Sequence, residues 1–129
     1  MELKIDNVCF SYSSDPVLHD ISLDLNENEL VSILGPNGVG KSTLIHCINR
    51  ILSPTSGTVL IDEKDVSEIK LKDLAKQIGY VPYSANDSFP LSVIDTVLIG
   101  RHPHTKWGTL DKDLDIVYDT LKMLGISHL

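Results

Sequence analysis

The sequence predicts an α/β fold in which a mixed sheet, antiparallel at its N-terminal end, presents a phosphate loop and is followed by the start of a helical subdomain. Three observations carry this expectation. Residues 35–43 read Gly35-Pro36-Asn37-Gly38-Val39-Gly40-Lys41-Ser42-Thr43, a complete G-x-x-x-x-G-K-[ST] loop. Leu30-Val31-Ser32-Ile33-Leu34 before it is a short apolar run of the kind a buried parallel strand shows, and Leu44, Ile45, Ile48, Ile51 and Leu52 after it recur at helical spacing. From Ser92 onward the apolar pattern is helical.

In chain order, Leu3, Ile5, Val8 and Phe10 mark a first strand that ends at Ser11-Tyr12, and Ser13-Ser14-Asp15-Pro16 is a turn. Leu18, Ile21, Leu23 and Leu25 mark a second strand, with period-two alternation from Ile21 to Leu25. Asn26-Glu27-Asn28-Glu29 turns the chain into the loop strand, residues 30–34. Ser53-Pro54-Thr55-Ser56-Gly57 interrupts the pattern after the first helix. Thr58–Ile61 is a further strand, Leu71–Gln77 a short helix, and Gly79-Tyr80-Val81 a last strand. Val93, Val97 and Leu98 then line a short helix ending at Gly100. Residues 101–108 form a loop with His102-Pro103-His104 and Trp107. Leu114, Val117, Tyr118, Leu121 and Leu124 form a long amphipathic helix, which Thr109 or Asp111 can cap and Gly125 can terminate. The layout expected is one domain over 1–129, with the phosphate-loop core in 1–91 and the helical subdomain beginning in 92–129.

Composition narrows the function classes. With 129 residues, 42% hydrophobic and 22% charged, the chain has the make-up of a globular domain rather than a disordered one. A net charge of −7 argues against nucleic acid as a partner. No apolar run approaches the ~18 residues a membrane span needs, and Met1–Asp6 has no signal-peptide core. Cys9 and Cys47 fall in apolar strand and helix patterns, as reduced core thiols of a cytosolic protein do.

The chemistry of the loop follows from its residue types. Glycines let the backbone curl so that successive N–H groups point at phosphate oxygens, and the following helix aims its positive end at the same place. Lys41 supplies a cation to the β- and γ-phosphates, Ser42 a hydroxyl to Mg²⁺, and Thr43 a further phosphate donor.

The whole chain resembles the N-terminal part of an ABC-transporter ATP-binding subunit, a truncated form of that family's P-loop NTPase domain. Residues 35–43 have the family's form of the phosphate loop. Phe10-Ser11-Tyr12 resembles its adenine-stacking loop, Ser56–Asp62 the strand after its first helix, and Ile78-Gly79-Tyr80-Val81-Pro82 the approach to its glutamine loop. Thr96-Val97-Leu98-Ile99-Gly100-Arg101-His102-Pro103-His104 is similar to a segment of importers for iron–siderophore, haem and cobalamin. The resemblance implies ATP and Mg²⁺ as ligands, Tyr12 as the adenine platform, transmembrane permease subunits and a second ATP-binding subunit as partners, and a cytoplasmic place on the inner face of the membrane. It also implies a departure, because Tyr83 stands where the family carries glutamine. The family's signature motif, Walker B acids and switch histidine come later than Leu129, so no catalytic residue is expected here and binding without efficient hydrolysis is. Asp62-Glu63 imitates the Walker B pair, but only three apolar residues precede Asp62 and the pair follows the first helix closely, so it reads as a turn. His102 and His104 flank Pro103 with no third ligand nearby and do not read as a metal site. Two alternatives stay open: a non-catalytic nucleotide-binding module, and an unrelated phosphate-loop enzyme such as a kinase or a DNA-repair ATPase.

Overall fold

The structure, a computed structural model, describes residues 1–82, 91–105 and 111–128. It divides into two compact units, Met1–Leu74 and Ala75–Leu129.

The first unit is organised by an antiparallel sheet. β1 (Leu3–Tyr12) and β2 (Asp15–Leu25) form a hairpin from Leu3↔Leu25 to Tyr12↔Asp15, and its turn is made possible by Ser13 at φ 54. β3 (Ser56–Ile61) pairs with the other edge of β1, and β4 (Lys64–Asp65) pairs with β3, so the order among the described residues is β2-β1-β3-β4. Asp62 and Glu63, at φ 47 and 64, form the two-residue connection between β3 and β4. Left-handed backbone at both positions is the demand of a type I′ hairpin. The acid pair is therefore a turn, as its sequence context suggests. An Asp62 carboxylate oxygen accepts the Glu2 N–H at 2.8 Å and is engaged at the start of β1.

β1 does not alternate regularly. Ile5, Val8 and Phe10 are all buried although the first two are three residues apart, and strict alternation would put them on opposite faces. The register shifts between Ile5 and Val8, where Asn7 takes φ 48, and again between Val8 and Phe10, opposite Asp20 at φ 47. The first puts its extra residue on β1 and the second on β2, so each strand switches phase once and returns its apolar residues, Val8 on β1 and Leu18 on β2, to the core side. β3 passes so close to the bulge that a Cβ on Gly57 would lie 2.3 Å from the Asn7 carbonyl oxygen, so only glycine fits there.

α1 (Lys41–Ile48) buries Leu44, Cys47 and Ile48, and Val59, Ile61, Val66, Ile69 and Leu74 complete the core of this unit. The helix is shorter than the apolar spacing through Leu52 predicts. Asn49 caps it, Arg50 turns away at φ 56, and the Arg50 guanidinium donates to the Ile69 carbonyl. α2 (Leu71–Leu74) is likewise shorter than the helix expected through Gln77.

The largest departure from expectation lies just before the phosphate loop. The Asn26–Glu29 turn forms, with the Glu29 carboxylate accepting from the Asn26 N–H at 2.9 Å and side-chain amide at 3.2 Å; these bonds hold its pKa below the ordinary carboxylate range. Residues 30–34 then form no strand, and Leu30 and Leu34 are 97% and 90% exposed. A strand apolar on both faces needs paired neighbours and helical cover, and no strand among the described residues pairs with it. Gly79-Tyr80-Val81 is also not a strand, and Val81 is exposed.

In the second unit, α3 (Val93–Ile99) is capped by Ser92, whose hydroxyl accepts the Asp95 N–H at 3.1 Å and donates to the Asp95 carboxylate at 2.6 Å. A 3₁₀ turn (His102–His104) follows, within the stretch expected as a loop. α4 (Asp111–Met123) starts at one of the two expected capping residues and ends before Gly125, at φ 70 in the expected left-handed terminator conformation. Trp107 and Thr109 lie outside the described residues. Val117 and Leu121 are fully buried, and Asp113, on the first turn of α4, is 4% exposed and accepts from Arg101 Nε at 2.9 Å.

Two predictions follow from this packing. Arg101→Ala removes the guanidinium from a buried carboxylate and should lower stability in urea unfolding by more than the ~1 kcal/mol of a surface ion pair, whereas a smaller loss would mean that the pair behaves as one. The exposed Leu30 and Leu34 side chains predict that the chain self-associates in size-exclusion with light scattering, and Leu30→Gln combined with Leu34→Gln should shift it toward the monomer. An unchanged mass distribution would show that another surface is responsible.

Candidate functional site

The phosphate-loop residues run into the start of α1 and are held by local contacts rather than by a preceding strand. Gly40 is the N-cap of α1, in left-handed conformation at φ 100 and ψ 5, and no side chain caps the helix. The first turn, Lys41-Ser42-Thr43, contains no acidic residue, and the first intrahelical bond runs from the Leu44 N–H to the Gly40 carbonyl at 2.9 Å. The leading N–H groups of an α-helix have no intrahelical acceptor and carry its positive dipole end. A polyphosphate supplies both an acceptor and a negative charge for them.

Lys41 closes the loop. Its ammonium donates to the Gly35 carbonyl at 2.8 Å and to the Pro36 carbonyl at 2.7 Å, which ties the end of the loop to its beginning. An ammonium has three donors, so two hold the loop and one is left for a phosphate oxygen. The loop also packs on itself: a Cβ on Gly35 would lie 3.1 Å from Val39 Cγ1. Asn37, Gly38 and Val39 form its exposed crest. Ser42 is exposed and Thr43 is buried at 7%. The Ser42 hydroxyl is a hard oxygen donor of the kind Mg²⁺ accepts, with phosphate oxygens and water completing the sphere. The donor set thus fits a Mg-bound polyphosphate.

Tyr12 ends β1, half exposed, with its ring centroid 4.8 Å from that of buried Phe10 in an edge arrangement at 80°. Phe10 props the ring, and Tyr12 remains open enough for a second aromatic group to stack. The hairpin links this residue to the loop: Tyr12 pairs with Asp15, and two residues on, Val17 and Leu18 flank Gly40. Nothing in the motif identifies Val17 or Leu18. The only sequence signal is that an apolar pair follows the turn after the aromatic.

The remaining candidates are placed as follows. Tyr83, at the glutamine position, lies outside the described residues. Cys47 is a free thiol on the buried face of α1, and burial raises its pKa. Cys9 is also free, and its sulfur contacts the Asp20 carboxylate at 3.2 Å. Among the described residues no helix is long and apolar enough to cross a membrane.

Comparison with known proteins identifies the family. The ABC transporter family model matches residues 18–129. An uncharacterized ABC transporter ATP-binding protein of Methanocaldococcus jannaschii is 46% identical over 98% of this chain and 50% of its own length. The cobalamin import ATP-binding protein BtuD of Halobacterium salinarum is 34% identical over 99% of this chain and 32% of its own. The manganese transport system ATP-binding protein MntB of Bacillus subtilis is 45% identical over 78% and 39%. Among solved structures, a nucleotide-free ATP-binding cassette from an ABC transporter superposes with a TM-score of 0.84 at 26% identity, covering 100% of this chain and 56% of that one. The chain spans half or less of the length of these curated relatives.

Lys41→Ala removes both the tie across the loop and the only side-chain cation in it. Titration calorimetry should show Mg·ATP affinity falling by about 10–100-fold, the weight of one or two charge-assisted hydrogen bonds. Equal affinity in variant and parent would remove the phosphate-loop assignment.

Proposed function

The chain belongs to the ABC transporter family, and from that premise we propose that it supplies the phosphate- and adenine-binding part of an importer's ATP-binding subunit. The observation that carries the reading is the loop itself: an uncapped helix start, no acid in the first turn, and Lys41 held across the mouth by Gly35 and Pro36. In the proposed complex, backbone N–H groups of residues 38–43 and Lys41 hold the β- and γ-phosphates, Ser42 holds the metal, and Tyr12 stacks on the adenine. Mg²⁺, when bound, neutralises charge on the phosphates.

The same reading assigns the chain's setting. The partners proposed are permease subunits, a second ATP-binding subunit and ATP, with the protein on the cytoplasmic face of the membrane through the permease. The solute proposed is a metal chelate of the iron–siderophore or cobalamin kind. The Gly100–His104 segment and the cobalamin-import relative support it, while the manganese-transport relative supports a metal cargo more broadly. We assign the phosphate-loop core to 1–91 and the helical subdomain to 92–129. The activity proposed for these 129 residues is nucleotide binding: Asp62-Glu63, the pair with the look of catalytic acids, is committed to a hairpin turn.

The adenine assignment separates from the phosphate assignment by experiment. Tyr12→Ala should weaken ATP binding by about 5–100-fold, the range of base–aromatic stacking, and leave inorganic tripolyphosphate unaffected. Tyr12→Phe keeps the stacking face and should keep most of the affinity. Equal losses in both variants would replace stacking with a hydroxyl contact.

A further inference from the structure

The phosphate loop has only a few points at which the rest of the first unit can hold it. The segment before it is unpaired, since residues 30–34 form no strand and Leu34 is almost fully exposed. The segment after it is α1, which begins without a side-chain cap. Between them, Gly40 sits against β2. A Cβ on Gly40 would lie 3.0 Å from Val17 Cγ1, 3.0 Å from Leu18 Cδ2 and 3.2 Å from the Val17 carbonyl oxygen. The register steps from Phe10↔Leu18 to Ser11↔Pro16 and skips Val17, and at such an irregularity strict alternation lapses, so Val17 and Leu18 both reach the same glycine. Gly40 therefore rests at the rim of β2, an outermost strand of the sheet, between the two side chains. Leu18 is buried at 5% and belongs to the core, whereas Val17 is only half-buried.

We propose that Val17 is a positioning residue for the phosphate loop: its β-branched side chain braces Gly40 on the rim of β2 and so keeps the Gly40–Thr43 turn in its phosphate-binding shape before any ligand arrives. A stiff, branched side chain suits this task because one rotamer dominates. A loop already in its bound shape binds more tightly, because less ordering is left to the binding step. The brace also joins the site's two ends, since Val17 lies on β2 of the hairpin whose other strand ends at Tyr12. This inference deepens the nucleotide-binding reading and rests on it for its binding consequences, but not for the loop geometry.

The test uses the whole chain and reads two quantities. Amide hydrogen exchange without ligand should show residues 37–43 exchanging several-fold faster in Val17→Ala, with β1 and β2 unchanged. Binding of Mg·ATP and of inorganic tripolyphosphate should weaken by the same factor, about tenfold, and Val17→Ile should restore both. Loss of ATP affinity alone would make Val17 a nucleoside contact and overturn the brace. So would unchanged loop exchange, or a loss of protection throughout β1 and β2, which would make Val17 a folding residue. Gly40→Ala supplies a second measurement: its added methyl meets Val17, so its effect on loop exchange should be smaller in the Val17→Ala background, and strictly additive effects would contradict the contact. If the parent chain binds neither ATP nor tripolyphosphate, the functional reading fails while the exchange data still decide the brace.

Discussion

Pairing of β1 along both of its edges is the constraint from which the first unit takes its shape. The strand holds β2 on one side and β3 on the other, and its own bulges decide which residues face inward. Without the phase switch at Asn7, Ile5 and Val8 could not both be buried. Without glycine at 57, β3 could not pass the bulge. The position of β2 in turn fixes Val17 and Leu18, and through them Gly40. A loop that reads as a self-contained motif is thus registered on a hairpin whose irregularities run from Asn7 on β1 to Val17 and Asp20 on β2.

The electrostatics of the site depend on the same economy of parts. The positive end of α1 resides in the free N–H groups of its first turn, and no acid stands there to oppose it. The chain as a whole carries a charge of −7, and the cation facing the phosphates is Lys41 alone among the loop's side chains. Anchoring that ammonium to two carbonyls limits the rotamer freedom a lysine otherwise loses on binding. The charge is held where a phosphate has to be.

Local features were legible in the sequence and non-local ones were not. The loop, its helix start, the hairpin turn expected over 13–16, which the structure narrows to Ser13 and Ser14 with Asp15 and Pro16 already in β2, and the terminator at Gly125 each depend on residues within one turn of one another. Even the bulge left a trace, in the step from Ile5 to Val8 where alternation predicts a step of two. The side chains of residues 30–34 suit a strand, but a strand exists only when another chain segment completes its hydrogen bonds, and that is decided by residues far away. The helix through Leu52 failed for a related reason. Apolar periodicity continues past Ile48, but the Arg50 bond to Ile69 needs a segment nineteen residues further on. The Val17–Gly40 contact left no mark, because apolar residues near a strand start are ordinary.

The separation in sequence between β1 and β3 has a consequence for the order in which the chain assembles. The β1–β2 hairpin closes across a two-residue turn, whereas β1 meets β3 only after about forty residues that include the whole phosphate loop and α1. Closing a longer loop carries a larger entropic barrier and slows the step that needs it. The hairpin is therefore the pairing with the smaller closure cost, available while the phosphate loop is still part of an open circuit. In the order of synthesis the residues of the β2 rim precede Gly40, so the surface on which the loop rests is complete in the chain before the loop is.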